Sequence, residues 1–223
     1  MSKIVITGSS SGLGAALARE LSRDGHLILP YDRNIGLDVL RPKNVWADCL
    51  DVLINCAGIN KTGWLENFPE AEWDEVMDVN AKGMFMMTQA ALPALIASKG
   101  PVLNIVSNAS HMPMTTSLAY NASKGAAHIM TLQLARELSK KHGITVFGIS
   151  PNKLSGTGMS RDIEEQVVRH RGWTPEYARE YQLSALLAGE ETDPQTLAEF
   201  VSYLLAAKRH HKYLTGCVIP YGA

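Results

Sequence analysis

The sequence predicts one α/β domain built on a doubly wound parallel sheet, with helices on both faces. Three observations carry this: short β-branched runs recur between longer helical patterns, those runs are apolar throughout rather than alternating, and the first opens into a glycine-rich turn. The 223 residues, 46% of them hydrophobic, are enough to bury one substantial core and fit a single domain over 1–223.

In order, Lys3–Thr7 (KIVIT) reads as the first strand, 12–24 as a helix, and 26–31 (HLILPY) as the second strand. A brief third strand is expected around 37–39, with room for only a short helix before the next strand near Asp51. The run 51–58 (DVLINCAG) supplies a fourth strand, 69–98 a long helix and 101–107 (PVLNIVS) a fifth strand. Residues 117–142 give another long helix, closed by Gly143. ITVFGIS and GCVIP complete the sheet. The stretch 152–193 lacks a strand pattern, mixes charges with Trp173, Tyr177 and Tyr181, and reads as a mobile substrate-covering insertion. Asp193-Pro194 starts the last helix, and KRHHK (208–212) is a basic run that complements its C-terminus.

Composition excludes several classes. Lys and Arg number 21 against 22 Asp and Glu, a net charge of −1 that gives no general attraction for nucleic acid or anionic lipid. Cys49, Cys56 and Cys217 are odd in number and lack metal-ligand spacing, so neither a disulfide framework nor a metal site is expected. The N-terminus runs straight into a strand, and no run is long enough to span a bilayer, so a soluble cytoplasmic protein is expected.

Gly8, Gly12 and Gly14 follow a strand and open a helix. In that context missing side chains let backbone amides reach a pyrophosphate, and the helix dipole favours the anion. The spacing is GxxxGxG rather than GxGxxG, and the fold it implies is Rossmann-like. Asp32, just beyond the second strand, stands where a carboxylate hydrogen-bonds the adenosine ribose and repels a 2′-phosphate. Arg33 follows and could accept that phosphate. NAD is preferred over NADP, also because Ser11 puts no basic side chain before Gly12.

Tyr120 and Lys124 lie four residues apart, on one helix face, thirteen residues after Ser107. An ammonium beside a phenol favours the phenolate, which suits proton transfer in a nicotinamide-dependent redox reaction.

With TGSSSGLG, NCAG at 55–58, Asn80, Ser107 and YNASK in that order, the chain resembles the short-chain dehydrogenase/reductase family over nearly its whole length. The resemblance implies that Tyr120 is the general acid/base, that Ser107 hydrogen-bonds the reacting oxygen, and that Lys124 lowers the Tyr120 pKa and holds the nicotinamide ribose. Asn80 would support a water linking Lys124 to solvent. The cofactor would further touch Thr7, Gly8, Ser10, Ser11, Gly12, Leu13, Gly14, Asp32 and Arg33, then Asp38 and Val39 at the adenine, and Asn55, Ala57 and Gly58 in the cleft. Pro151, Asn152 and Leu154 complete that set. Pro151 is followed by Asn152 where the family carries glycine, and asparagine tolerates the left-handed backbone that turn would need. Substrate contacts are expected from Ser107, His111, Met112, Met114, Leu154, Met159 and Trp173.

The leading reading is an oxidoreductase that moves a hydride between nicotinamide and a secondary alcohol or ketone. The alternatives are a 3-oxoacyl thioester reductase and a non-catalytic nicotinamide-binding redox sensor. By analogy the chain forms a homodimer or homotetramer.

Overall fold

In the computed structural model, which describes residues 1–222, six parallel strands form one sheet in the order β2-β1-β3-β4-β5-β6. They are β1 (Lys3–Thr7), β2 (Leu27–Tyr31), β3 (Val52–Asn55), β4 (Val102–Ile105), β5 (Val146–Pro151) and β6 (Val218–Tyr221). The chain leaves β1 towards β2 and then returns to β3 on the other side of β1. This reversal opens a crevice beyond the C-terminal ends of β1 and β3, the place where such sheets bind ligands.

The two-residue period of the strands divides the core between the two faces of the sheet. Ile4, Ile6, Ile54, Leu103 and Phe147 meet α1 (Gly12–Arg23) and α7 (Pro194–Ala206) through Leu17, Leu21, Leu197 and Val201. Val5, Leu53, Val102 and Val146 meet α3 (Gly83–Ser98) and α4 (Leu118–His142) through Met87, Leu95, Ala135 and Leu138. Both faces are covered, which is why these strands are apolar at successive positions.

The strand expected at 37–39 is absent, and so is a helix before Asp51; the crossover holds only a 3₁₀ turn, Arg33–Ile35. The reason lies in β2. Tyr31 bonds inward, its N–H to Ser9 Oγ and its carbonyl to the Gly8 N–H, so its neighbour Pro30 faces the outer edge, where it has no hydrogen to offer another strand. Aromatic packing fills the space instead. Trp46 is buried with its ring 6.5 Å from that of Tyr31, whose hydroxyl accepts from the Lys43 N–H at 2.8 Å.

The helix expected over 69–98 is continuous but not uniform. α2 (Glu70–Met77) passes into α3 through a π-helical turn, Asp78–Lys82, that contains Asn80. Such turns recur at functional positions. The insertion is helical, with α5 (Gly158–Arg171) and α6 (Pro175–Ser184) capped by Thr157 and Thr174. Asp193 caps α7 as expected, but the chain then adds a 3₁₀ turn, Lys208–His210, and the short helix α8, His211–Leu214.

Candidate active site

β1 ends at Thr7, whose hydroxyl accepts from the Cys56 and Ala57 N–H groups at 2.9 and 3.0 Å, tying the ends of β1 and β3 together. Gly8 follows at φ 69°, where a Cβ would stand 2.8 Å from Ala57 Cα; at Gly14 it would lie 2.0 Å from the Gly8 carbonyl oxygen. Both positions exclude any side chain, so the turn folds flat against the sheet. α1 begins with Ser11 as N-cap but without a side-chain cap bond, which leaves its first-turn amides to an anion.

Beside this turn the Asp32 carboxylate accepts from the Ser10 N–H at 3.1 Å and the Asn34 N–H at 2.9 Å. Arg33 is directed towards Asp38, with Nε 3.7 Å from Oδ2. Val39 is buried, and its methyl group leaves Gly83 no room for a Cβ. It shares a cavity of about 10 Å³ with Thr7, Asn55, Ala57, Asn80 and Ile105. Asn55 donates to Thr88 and to Asn104 on β4, at 3.0 and 2.9 Å. These residues present a neutral floor, free backbone donors, the Asp32 carboxylate and an Asp38 carboxylate facing Arg33, a set of groups that fits an adenine dinucleotide.

Ser107 follows β4 and its Oγ accepts from the Ala109 N–H at 3.2 Å. Tyr120 and Lys124 occupy successive turns of α4, and both are buried. Lys124 Nζ donates to the Ile105 carbonyl at 3.0 Å and lies 5.8 Å from the Tyr120 ring centre. It also approaches Gly58, where a Cβ would stand 3.7 Å from Nζ and 3.4 Å from Asn80 Oδ1. Strand end, loop, π turn and α4 thus converge on one point.

Burial raises the Tyr120 phenol above its ordinary value, the Ser107 hydroxyl pulls it back, and the charge of the Cys56 thiolate raises it further. Burial also lowers Lys124 to about 8. The Cys56 thiol is pushed up to about 12 by burial, against the pull of Lys124.

The Asn80 side chain is anchored in the protein, its amide accepting from the Ile59 N–H at 2.8 Å and donating to the Ile59 carbonyl and Ser123 Oγ, each at 2.9 Å. The side chain fixes the loop after β3. The Asn152 backbone lies outside the left-handed region, correcting the expectation that it would replace glycine in that way. Its side chain donates to the Gly222 carbonyl and accepts from Thr192 Oγ1 at 2.5 Å.

Of the expected substrate residues, Met112 and Met114 are exposed on the loop after Ser107, and Met159 is partly buried on α5. His111 is exposed beside Ser110, Nδ1 to Oγ 3.1 Å. Leu154 packs against the hydrophobic core. Trp173 packs within the insertion, 5.0 Å from the rings of both Tyr177 and Tyr181, with the Arg171 guanidinium 4.6 Å above it.

Several positions were not anticipated. Asn121, inside YNASK, donates to the Ala109 and Met112 carbonyls at 2.6 and 2.8 Å and so holds the substrate loop. Thr116, four residues before Tyr120, is β-branched at φ 69°, a strained conformation for such a residue. Its carbonyl accepts from the Gly63 N–H at 2.8 Å. The insertion closes over the loop after β3: Thr62 bonds to Gln166, and Trp64 Nε1 to the His170 carbonyl. Asn60 lies in that loop, and its position directly after NCAGI was the available signal.

A family model described as short chain dehydrogenase matches residues 43–168, a span that leaves the glycine turn outside. The sorbitol-6-phosphate 2-dehydrogenase of Klebsiella pneumoniae is 29% identical over 248 aligned positions, covering 96% of this chain and 91% of the relative. The 5-keto-D-gluconate 5-reductase of Escherichia coli is 32% identical over 192, covering 73% and 75%. Among solved structures, an NAD+-bound xylitol dehydrogenase superposes with a TM-score of 0.88 at 22% identity, covering 100% of this chain and 98% of that one, a likeness of fold.

Proposed function

Because the chain belongs to the short-chain dehydrogenase family, we propose that it is a nicotinamide-dependent oxidoreductase that interconverts a secondary alcohol and a ketone, NAD being the preferred cofactor. The observation that carries this reading is the group of half-buried Ser107 with buried Tyr120 and Lys124 at the C-terminal edge of the sheet, beside a glycine turn with free helix-terminal amides.

When bound, the nicotinamide accepts or supplies the hydride. The remaining work falls to this chain. Tyr120 takes the proton from the alcohol oxygen during oxidation and returns it during reduction. Ser107 donates to the same oxygen, where charge develops. Lys124, anchored on Ile105 and 5.8 Å from the centre of the Tyr120 ring, would hold the nicotinamide ribose. Asp32 would accept from the adenosine ribose hydroxyls.

The relatives named for sorbitol 6-phosphate and 5-keto-D-gluconate support a polyhydroxylated substrate, a polyol or sugar acid. The protein would act in the cytoplasm as a homodimer or homotetramer, for which Phe85 and Ile96 on α3 and Leu118 and Ile129 on α4 offer exposed apolar contacts.

The test is titration with NADH and NADPH, followed by nicotinamide absorbance across a panel of polyols, sugar acids and the matching ketones. Tighter NADH binding with turnover of a panel member is expected. Absence of binding to either cofactor would overturn the reading.

A further inference from the structure

The carboxamide of Asn60 has both its nitrogen and its oxygen buried, and neither has a hydrogen-bond partner among the described residues. A primary amide carries two donors and two acceptor lone pairs. Leaving all of them unmet is costly, and natural proteins do not do so without a reason. Other amides near the site are bonded: Asn80 to Ile59 and Ser123, Asn121 to Ala109 and Met112, and Asn55 through its nitrogen to Thr88 and Asn104.

The place of Asn60 narrows the reason. Two residues earlier, Gly58 packs against Lys124 Nζ, so by chain reach Asn60 Cα lies within about 7 Å of the Gly58 Cα. Ile59, immediately before it, is clamped at N–H and C=O by Asn80. Thr62, two residues later, is roofed by Gln166 of α5 at 2.8 and 3.0 Å. The segment is fixed at both ends, between the Tyr120–Lys124 group and the insertion, with the two polar atoms of the amide buried.

Building on the function proposed above, we propose that Asn60 is a specificity-determining residue that reads neighbouring hydroxyl groups of the substrate. Its carbonyl oxygen accepts from one hydroxyl and its NH₂ donates to the next. A vicinal diol, as in a polyol or sugar acid, offers that donor and acceptor pair on adjacent carbons. A simple alcohol has only the reacting hydroxyl, which is held at Tyr120 and Ser107 and leaves the amide unmet, and a carboxylate could only accept from its NH₂.

The experiment combines Asn60→Leu, of similar volume without polar atoms, with substrate pairs. On wild type and variant, kcat/KM is measured for the best polyol of the panel and for its analogue lacking one hydroxyl beside the reacting carbon. Thermal unfolding of the cofactor-free proteins is followed in parallel. Wild type should prefer the polyol over the deoxy analogue by about 10-fold or more, and in the variant that ratio should collapse to within about 3-fold. The variant's Tm should rise by about 2–4 °C, because an unmet buried amide has been removed. A ratio preserved in the variant overturns the proposal. A lowered Tm also overturns it, since the amide would then be bonded within the protein. Wild type that turns over no panel member with either cofactor disproves the oxidoreductase reading itself, and this is visible before any variant is made.

Discussion

The Lys124 ammonium lies 5.8 Å from the centre of the Tyr120 ring but directs its hydrogen bond to the Ile105 carbonyl, at 3.0 Å. The Ser107 hydroxyl favours the phenolate, against the effect of burial. On the proposed mechanism the proton passes through the phenol oxygen. Tyr120→Phe should lower kcat by about 10²–10⁴, the range for loss of a positioned acid/base, and leave the NADH Kd within about 3-fold. Steady-state kinetics with fluorescence titration checks both; a variant keeping a tenth of wild-type kcat would remove Tyr120 from the role.

Burial of Lys124 makes the stability of the cofactor-free protein depend on pH. Its folded value of about 8 lies below the ordinary 10.5, so between these values the unfolded chain binds more protons and stability rises with pH. Cys56 acts oppositely: its folded value of about 12 lies above 9.0, so stability falls as pH rises through that window. Between pH 8 and 9 Lys124 acts alone. The shift from 10.5 to about 8 corresponds to about 3 kcal/mol, fully expressed below pH 8. Urea denaturation should show wild type gaining stability from pH 8 to 9, and Lys124→Met, which has no proton to lose, staying flat there. Equal slopes would show that Lys124 titrates like an exposed lysine.

Asp32 holds a negative charge against the glycine turn, the proposed phosphate site, and accepts from the Ser10 and Asn34 amides. A 2′-phosphate would meet that charge, while Arg33 is turned to Asp38. Asp32→Asn keeps the acceptor for Asn34 and removes the charge. The ratio of NADPH to NADH affinity should rise by about 10-fold or more. An unchanged ratio in competitive titrations would place cofactor choice elsewhere.

These examples mark how far the sequence could be read. The glycine turn, NCAG, Ser107 and YNASK were legible because their chemistry depends on close neighbours: a missing side chain beside a helix start, or two side chains one turn apart. The absent strand at 37–39 was mistaken because apolar residues there resemble a strand, whereas the decisive feature, Pro30 on the outer edge of β2, acts through a ladder. Asn152 was read for its backbone, while its work is done by a side chain reaching Gly222, 70 residues away. Asn80 was placed correctly, but its partners Ile59 and Ser123 come from other elements. What escaped the sequence was set by contacts between distant segments.

Lys153 is such a contact, and its removal gives a sharp test of the insertion. It is 14% exposed and meets Glu164 of α5 at 2.5 Å, Gln182 of α6 at 2.5 Å, and Glu191, itself 9% exposed, at 2.7 Å. One side chain just after β5 thus holds both helices of the insertion. Lys153→Met would leave two carboxylates in a poorly solvated space without their shared cation, a change that costs up to about 3–5 kcal/mol when a pair is fully buried and less here. The helices, rather than the sheet, should loosen. Chymotrypsin should then cleave faster at Tyr177 and Tyr181, and KM for the substrate should rise more than kcat falls. Adding Glu191→Gln to Lys153→Met removes the more buried of the two charges and should restore part of the protease resistance. If the double variant is cleaved as fast as the single one, uncompensated charge is not what loosens the insertion; if the single variant is cleaved no faster than wild type, Lys153 does not hold it.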